Sequence, residues 1–420
     1  MPRVLLHSDA NSYYASVECL YTPALRGKPM AVCGSAEERH GIVLAKSEAA
    51  KARGVQTGMA IWQAKKACPG LICVPPDYEL YLHFSAKLRR IYESYTPLVE
   101  PFGLDECWLD ITQPGMRLAE GERVAQELRQ RIRRELGLTV SIGVAENKVF
   151  AKLASDLRKP DAVTVISAEN FRSLAWPLPA RDLLYVGPRT AEKLAHAGIR
   201  TIGGLALADT GMLEYRLGKN GVMLQAFALG LDRSPVRAGD AREAFRSIGN
   251  SATPPRDIQT PQEARWMLHL LADSVCERLR ALGLRAGQVS VSLRDGDLAR
   301  HSCQKILAHA THGTGQIAQA ACKLLEERLL PLLPYRSMGL HCGGLKPENA
   351  PVQLDFWGEE AARAERLDRA LDSLRYRFGP AAIRRASSLA DTGLSRVELT
   401  GQRVHPAAFL REGCVRYDQP

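Results

Sequence analysis

A chain of 420 residues is too long for one ordinary hydrophobic core, so its length predicts two to four domains. Apolar residues make up 45% of the chain and charged residues 24%, a balance that is typical of globular proteins and excludes a disordered or fibrous one. The formal net charge of +10 favours a polyanionic partner such as nucleic acid, although a solvated basic surface would have the same composition.

Cysteine usage and hydropathy indicate the compartment. The ten cysteines, from Cys19 to Cys414, contain no CxxC pair, so we expect reduced thiols. The N-terminus MPRVLLHSDAN lacks the apolar run of a signal peptide, and no stretch approaches the roughly 18 apolar residues of a membrane span. These features predict a cytoplasmic, nucleoid-associated protein without a membrane partner.

The first part of the chain predicts an α+β fold. Residues 4–7 form a short apolar run ending in Ser8 and Asp9, a strand that delivers a carboxylate at its end. Residues 37–66 are alanine-rich and basic and predict a mostly helical insertion. The pattern then predicts a helix at 78–94, a strand hairpin at 99–112, a helix at 118–136, a strand at 139–144 and a helix at 147–157. The order βαββαβα predicts a sandwich with an antiparallel sheet.

The remainder predicts a small helical domain, a second α+β domain and a tail. Residues 180–233 contain the sequence VGPRTAEKLAHAGIRTIGGLA and predict short helices joined by glycine. A polar linker follows at 239–245. A second βαββαβ pattern predicts a domain with split βαβ topology: strands at 246–251, 289–294, 302–308 and 338–343, and helices at 260–282 and 315–333. From Lys346 onward the chain is polar, with one helical segment at 359–378, and we predict a mobile tail.

Three acids at predicted strand ends are candidates for a metal site. Asp9, Asp105 and Glu106 converge if the first and third strands are neighbours, and such a cluster repels itself unless cations neutralise it. Carboxylate oxygens are hard ligands that suit Mg²⁺. An Asp-Glu pair in a hairpin is often a solvated turn, but apolar neighbours such as Trp108 make burial without a cation costly. Asp110 is interpreted as structural.

Four motifs in order carry a resemblance to a known family. DANSYYASVE, FGLDECWLDIT, SIGVAENKVFAKLASDLRKPD and VGPRTAEKL resemble the successive signatures of Y-family DNA polymerases, and the likeness extends from about residue 3 to residue 385. It implies a template-directed DNA polymerase that performs translesion synthesis by two-metal nucleotidyl transfer. The implied cofactor is a pair of Mg²⁺ ions, and the implied substrates are primer-template DNA and deoxynucleoside triphosphates.

The resemblance also implies a right-hand architecture. Its parts would be a βαββαβ palm (1–14 and 72–166), small helical fingers (15–71), a helical thumb with a helix-hairpin-helix (167–233), a linker (234–245), a split-βαβ little finger (246–345) and a tail (346–420).

Carried over by position, Asp9, Asp105 and Glu106 match the family's catalytic metal ligands, with the Ala10 carbonyl as a backbone ligand. Four further residues match its nucleotide contacts. Tyr14, beside Tyr13, corresponds to the steric gate that would collide with a 2′ hydroxyl; Lys159 matches the lysine on the triphosphate, and Lys51 a basic phosphate contact that is often arginine.

Some positions depart from the family pattern. Asn11, Gly103, Ala45 and Glu48 replace residues that are frequent in polymerase IV relatives, but none of these changes removes a metal ligand. These departures make the sequence resemble the polymerase V type more, which would imply accessory SOS-type subunits as partners.

Several residues are predicted to hold DNA. Gly187, Arg189 and Lys193 lie in a segment that resembles a helix-hairpin-helix, which presents backbone amides to a phosphate; an ordinary αα-hairpin is the alternative. In the second βαββαβ unit, the predicted phosphate contacts are Arg246, Ser247, Arg256 and Arg294.

The pentapeptide QLDFW resembles the sequence with which bacterial polymerases engage the sliding clamp. It comprises Gln353, Leu354, Asp355, Phe356 and Trp357. A short peptide with apolar anchors suits groove binding, and a clamp would raise the effective concentration of the polymerase at primer ends.

Two other functions fit parts of the sequence. A catalytically silent scaffold would bind DNA and the clamp and recruit another polymerase, but the three retained acids argue against it. A nucleotidyl cyclase with a similar palm would leave the helix-hairpin-helix, the basic second unit and the clamp peptide unexplained.

Overall fold

The computed structural model describes residues 3–35, 41–238, 245–350, 358–379 and 382–386, together with Leu394. The described residues divide into two compact units, one made of residues 3–34 and 42–238 and the other of residues 35, 41, 245–350, 358–379, 382–386 and 394. The boundary falls inside the predicted linker at 234–245. The first residues of that linker nevertheless pack on the first unit, because Val236 is buried in its core and the Arg237 amide donates to Glu100 at 2.9 Å.

The first unit contains eight strands and eleven α-helices among its described residues. The strands are β1 (Leu5–Ala10), β2 (Met30–Cys33), β3 (Val43–Lys46), β4 (Ile72–Val74), β5 (Val99–Pro101), β6 (Glu106–Asp110), β7 (Val140–Ala145) and β8 (Val163–Ile166). The helices are α1 (Tyr13–Tyr21), α2 (Glu48–Lys51), α3 (Ile61–Ala67), α4 (Tyr78–Glu93), α5 (Leu118–Leu136), α6 (Lys148–Leu157), α7 (Phe171–Leu174), α8 (Pro188–His196), α9 (Ile202–Ala206), α10 (Thr210–Leu217) and α11 (Lys219–Ala228).

The main sheet has the strand order β5-β6-β1-β7-β8. β1 is its central strand, and all six of its residues are buried, which explains why the sequence shows an apolar run rather than alternation. β1 pairs antiparallel with both β6 and β7, as predicted. The expectation of a wholly antiparallel sheet is wrong for β8, which pairs parallel with β7 because α6 makes the crossover between them.

Gly143 of β7 lets α6 approach the sheet backbone to backbone. A Cβ atom there would lie 1.9 Å from the Ala151 carbonyl oxygen and 2.5 Å from the Ser155 amide nitrogen. We therefore expect Gly143→Ala to lower the free energy of unfolding by about 3 kcal/mol, since neither backbone can retreat. Gly315→Ala is the control, because no atom lies within 4 Å of that position. Equal urea midpoints for the two variants would contradict this packing.

The insertion between α1 and α4 contains a small sheet. β2 pairs antiparallel with β3 and parallel with β4, while α2 and α3 have only four and seven residues. Of these strands only β3 lies within residues 37–66, so the prediction of a mostly helical insertion over that range missed one short strand beside α2 and α3. Strands of three or four residues rich in alanine and valine cannot be told from helix by periodicity. Residues 36–40 lie outside the described part of the chain.

Residues 167–233 form the predicted cluster of short helices. The core beneath them continues that of the main sheet, since Leu5 and Trp108 belong to the same buried cluster as Leu194 and Ile202. This helical region is therefore packed directly onto the sheet.

The second unit has the predicted split βαβ topology. Its strands are β9 (Ser247–Ala252), β10 (Leu284–Asp295), β11 (Arg300–Thr311) and β12 (Tyr335–Pro347), and its helices are α12 (Pro261–Ala281), α13 (Thr314–Arg328) and α14 (Gly358–Phe378). The strand order β11-β10-β12-β9 is antiparallel throughout, so β12 separates β9 from β10. The capping box of Thr260 and Glu263 begins α12 as expected.

The α14 helix is docked on the second unit, which corrects the expectation of a mobile tail for this segment. Arg280 of α12, with only 3% of its side chain exposed, pairs with Asp372 at 2.5 Å and Asp368 at 3.3 Å. Asp368 also accepts from the Thr314 amide at 2.8 Å. Polar pairing rather than an apolar stripe holds the helix, so hydrophobic periodicity does not predict its docking.

Breaking this buried network should release α14. Arg280→Ala leaves Asp368 and Asp372 without their guanidinium, and we expect a loss of about 3–5 kcal/mol in the stability of the second unit. The matched control is Arg265→Ala, which removes a half-exposed pair with Glu326 worth under about 1 kcal/mol. Limited trypsin digestion should cut α14 much faster in the first variant. Similar cleavage rates in both would show that the network does not hold the helix.

Within the described ranges, no helix combines the length and apolarity that crossing a membrane requires. The nine cysteines in the same ranges are free thiols.

Candidate active site

Strand pairing brings the three predicted acids to one edge of the main sheet. In the β1–β6 ladder, Asp9 lies directly opposite Glu106. Asp105 precedes β6, and its carbonyl accepts a hydrogen bond from the Ala10 amide at 3.0 Å. Directly opposed residues have Cβ atoms about 5 Å apart, so the two ladder carboxylates share one face. The predicted convergence of the first and third strands is confirmed.

Two lysines neutralise this cluster. The Lys159 ammonium lies 2.6 Å from Asp9 and 2.7 Å from Asp156, and the Lys152 ammonium lies 2.5 Å from Glu106. Among the described residues, no group of three His, Cys, Asp or Glu side chains is close enough together to hold a metal ion. The carboxylates of Asp9 and Glu106 are engaged by lysines instead.

The acids have very different protonation energetics. Burial raises the pKa of Asp105 to about 6, and the neighbouring Glu106 charge adds to this. Burial likewise raises the pKa of Asp9, against the pull of Lys159. For Glu106, burial is outweighed by His7 and Lys152, which lower the pKa of its carboxyl. A cation bound beside these three acids would favour the ionised form of Asp9 and Asp105.

These observations fit a divalent cation. Asp9 is only 6% exposed, yet it is surrounded by acids, and its oxygen atoms are the hard donors that Mg²⁺ prefers. Ala10 follows Asp9 at the end of β1. The role of its carbonyl as a backbone ligand stays a prediction.

Lys152 and His7 belong to the site although they were not singled out in the sequence. His7 is fully buried on β1; its Nδ1 lies 2.9 Å from Ser155 Oγ and its Nε2 lies 3.3 Å from Glu106. Burial lowers the pKa of His7 to about 4, so the ring is neutral at pH 7. The signal for Lys152 is its place in the helix α6, which follows the buried strand β7 and leads to Lys159.

Asn11 has a structural reason to replace an acid. Its Nδ2 donates to Ser141 Oγ at 2.9 Å, and its Oδ1 accepts from the Asp161 amide at 2.9 Å. An amide can make both of these hydrogen bonds, whereas an ionised carboxylate has no proton to donate. Asn11 thus ties β1 to β7 and to the segment that follows Lys159.

The two adjacent tyrosines have different environments. Tyr13 is 3% exposed, and its hydroxyl donates to the Tyr81 carbonyl at 2.6 Å. The ring is therefore inside the core, and the predicted nucleotide contact of Tyr13 stays a prediction. Tyr14 is half-buried and stacks on Tyr81 with 4.1 Å between ring centroids. Its ring is therefore held rigidly from behind.

Lys51 is the last residue of α2. Its ammonium is 3.7 Å from Glu48, whose carboxylate accepts a hydrogen bond from Ser12 Oγ at 2.8 Å. The substituted residue Glu48 thus connects α2 to the end of β1. Lys51 is half-exposed at 53%, so it remains available to a phosphate.

The predicted DNA contacts of the helical region lie on its surface. Gly187 is the N-cap of α8, and Arg189 and Lys193 lie on that helix; all three are exposed. They therefore form one exposed set that extends from the N-cap to the last turn of a nine-residue helix.

The predicted contacts of the second unit do not form one site. Arg246 and Ser247 lie at the beginning of β9, opposite Gly343, whereas Arg294 lies opposite Ser337 near the other end of β12. Arg256 is engaged by Glu263 at 2.8 Å. The set is spread along the sheet, which suits an extended ligand better than a compact one. The pentapeptide at 353–357 lies outside the described residues.

Comparisons with known proteins agree with this geometry. The profile of the impB/mucB/samB family matches residues 8–156, and that of the family's C-terminal domain matches residues 245–356. A Y-family DNA polymerase chimera of known structure is similar with a TM-score of 0.73 and 23% identity, covering 81% of this chain and 98% of its own; this supports the fold.

Relatives of similar length were also found. DNA polymerase IV of Acetivibrio thermocellus is 46% identical over 94% of this chain and 100% of its own, and DNA polymerase IV 1 of Bacillus subtilis is 38% identical over 92% and 93%. Their names support the polymerase IV side of the likeness rather than the polymerase V type. With both profiles matched and such identity over nearly its whole length, the chain belongs to the Y family of DNA polymerases, the DNA-directed DNA polymerases of translesion synthesis.

Proposed function

We propose that Asp9, Asp105 and Glu106 hold two Mg²⁺ ions at which a deoxynucleotide is added to the primer strand of primer-template DNA. The observation that supports this most directly is the ladder register, which sets Asp9 opposite Glu106 with Asp105 beside them. When bound, such ions would activate the primer 3′ hydroxyl and stabilise the leaving pyrophosphate.

Lys159 is proposed to bind the β and γ phosphates of the incoming nucleotide. Its ammonium is held between Asp9 and Asp156, at 2.6 Å and 2.7 Å. Its side chain is 27% exposed, so it can reach a ligand while remaining beside the acids. Lys51 is a second, more exposed phosphate contact. Divalent cations on Asp9 would leave the Lys159 ammonium available to phosphate oxygens.

Tyr14 is proposed to exclude ribonucleotides. The ring cannot retreat because Tyr81 stacks behind it and Tyr78 meets it edge-on at 6.2 Å. We expect Tyr14→Ala to lower the discrimination against ribonucleotides by about 10- to 200-fold, measured as the ratio of kcat/KM values for the two sugars. Tyr14→Phe keeps the ring and should retain the discrimination. Unchanged selectivity in the alanine variant would remove Tyr14 from this role.

The division of labour along the chain follows the proposed right-hand architecture. The main sheet would be the palm, residues 15–71 the fingers, residues 167–233 the thumb and residues 246–345 the little finger. Exposed Gly187, Arg189 and Lys193 suit backbone phosphates, as do Arg246, Ser247 and Arg294. The sequence QLDFW supports binding to a sliding clamp, and accessory subunits remain a proposal from sequence alone.

Primer extension tests this function. The purified protein should add a templated deoxynucleotide when Mg²⁺ is present and lose this activity in EDTA. Failure to extend any primer, combined with tight DNA binding, would instead support the catalytically silent scaffold.

A further inference from the structure

An exposed tryptophan in the proposed fingers has no role in the packing of the fold. Trp62 lies on α3 and is 67% exposed. The inward face of the same helix consists of Ala64 and the following Cys68, both fully buried in the core of this subdomain. The tryptophans Trp108 and Trp176, by contrast, donate their indole N–H groups to backbone carbonyls. Trp62 therefore presents its ring to the surface.

Cationic side chains lie on the same helix face as this ring. Lys65 and Lys66 follow Trp62 by three and four residues, so all three share one helix face, and both lysines are exposed. Arg53 is exposed as well, and its guanidinium lies 3.9 Å from Cys68 Sγ at the end of α3. Residues 49–76 contain four lysines or arginines and no aspartate or glutamate. All charged side chains of this described stretch are therefore cationic.

A second apolar group adjoins the start of the helix. Ile42 pairs with Ala60, two residues before Trp62, and is itself 44% exposed. We name the surface formed by Ile42, Trp62, Lys65 and Lys66 the Trp62 face. A large aromatic ring on the same helix face as two cations is the combination that binds unpaired nucleotides.

Two other occupants fit the chemistry less well. Duplex DNA offers phosphates, but its bases are already stacked on each other and leave no face for an indole ring. Protein interfaces are enriched in tryptophan, but lysine is depleted in them. A single strand satisfies both the ring and the lysines.

On this basis we propose that the Trp62 face binds the unpaired 5′ template strand ahead of the nascent base pair, with a template base stacked on Trp62. The proposal rests on the polymerase function proposed above, which supplies a template with a single-stranded overhang. It adds a residue that would hold the template before it is copied.

Binding to primer-templates with overhangs of different length tests this. Fluorescence anisotropy would compare overhangs of about one and about eight nucleotides, at fixed salt, for the wild type, Trp62→Ala and Trp62→Phe. We expect the wild type to bind the long overhang more tightly and Trp62→Ala to lose this preference by about 5- to 100-fold. Trp62→Phe keeps a stacking surface and should retain most of it. Replacing Lys65 and Lys66 with Gln should flatten the dependence of log K on log salt by about 1.4.

Several results would overturn the inference. These are equal affinity of the wild type for both overhangs, equal weakening of both by Trp62→Ala, and an overhang preference that Trp62→Ala leaves unchanged. Thermal unfolding of each variant shows whether it is folded. Primer extension by the wild type reports on the proposed function separately, so the two proposals fail in distinguishable ways.

Discussion

Asp105→Asn is expected to lower the rate of nucleotide incorporation by about a hundred- to a thousand-fold while making the metal-free protein more stable. The rate falls because an amide is a poor ligand for a hard cation, and metal-borne charge stabilisation is lost. Stability rises because burial and the Glu106 charge disfavour the ionised form of Asp105 in the folded state. The gain is about 1–3 kcal/mol at neutral pH.

The pH dependence of this gain has a definite sign. Because the pKa of Asp105 is raised to about 6 in the folded protein, its ionisation costs stability as pH rises from about 4 through about 6. The neutral Asn has no such cost, so the advantage of the variant should be full above pH 7 and vanish near pH 4. Urea unfolding in EDTA at both pH values measures it.

Asp110→Asn is the matched control on the same strand. Asp110 lies at the far end of β6, where its Oδ1 accepts from the Thr112 amide at 3.0 Å, and an amide oxygen can replace it. Activity near that of the wild type is expected. An Asp105→Asn protein that extends primers as fast as this control would remove Asp105 from the site.

Lys159→Ala is expected to raise the KM for deoxynucleoside triphosphate by about ten- to a hundred-fold. The variant loses one charge-assisted hydrogen bond to phosphate, and such a bond changes the affinity for the nucleotide by about that factor. The same change leaves Asp9, 9% exposed at its side chain, facing two other acids without its ammonium at 2.6 Å. The metal-free protein should therefore also lose about 1–3 kcal/mol of stability, less than for a fully buried pair because Lys159 is partly exposed.

The conservative variant separates the two effects. Lys159→Arg keeps the positive charge, so it should restore stability and most of the nucleotide affinity. Steady-state kinetics with varied nucleotide and urea unfolding in EDTA give the two readouts. A Lys159→Ala protein with unchanged KM would show that the ammonium serves only to neutralise Asp9.

The sequence predicted the main elements because their signals are strong. The helix at residues 118–136 has the same bounds in the structure, and the capping box of Thr260 begins α12 as expected. The convergence of Asp9 with Glu106 was also predictable, since it requires only that two strands be neighbours. Motif order supplied the rest of the interpretation of these acids.

What could not be predicted depends on contacts distant in sequence. Nothing local shows that Tyr13 is in the core while Tyr14 faces outward, because that difference comes from packing against α4. The lysines that neutralise Asp9 and Glu106 come from α6 and the residues after it, some 46 to 150 positions away. The docking of α14 relies on buried ion pairs, which leave no hydrophobic period to detect.

Anomalous scattering from Mn²⁺ in a ternary complex with a terminated primer and an incoming nucleotide tests the central claim most directly. The account predicts two manganese ions within about 2.0–2.4 Å of oxygens from Asp9, Asp105 and Glu106, with phosphate oxygens of the nucleotide completing their coordination. Manganese bound elsewhere, or an intact nucleotide seated with these carboxylates still held by Lys152 and Lys159, would contradict it.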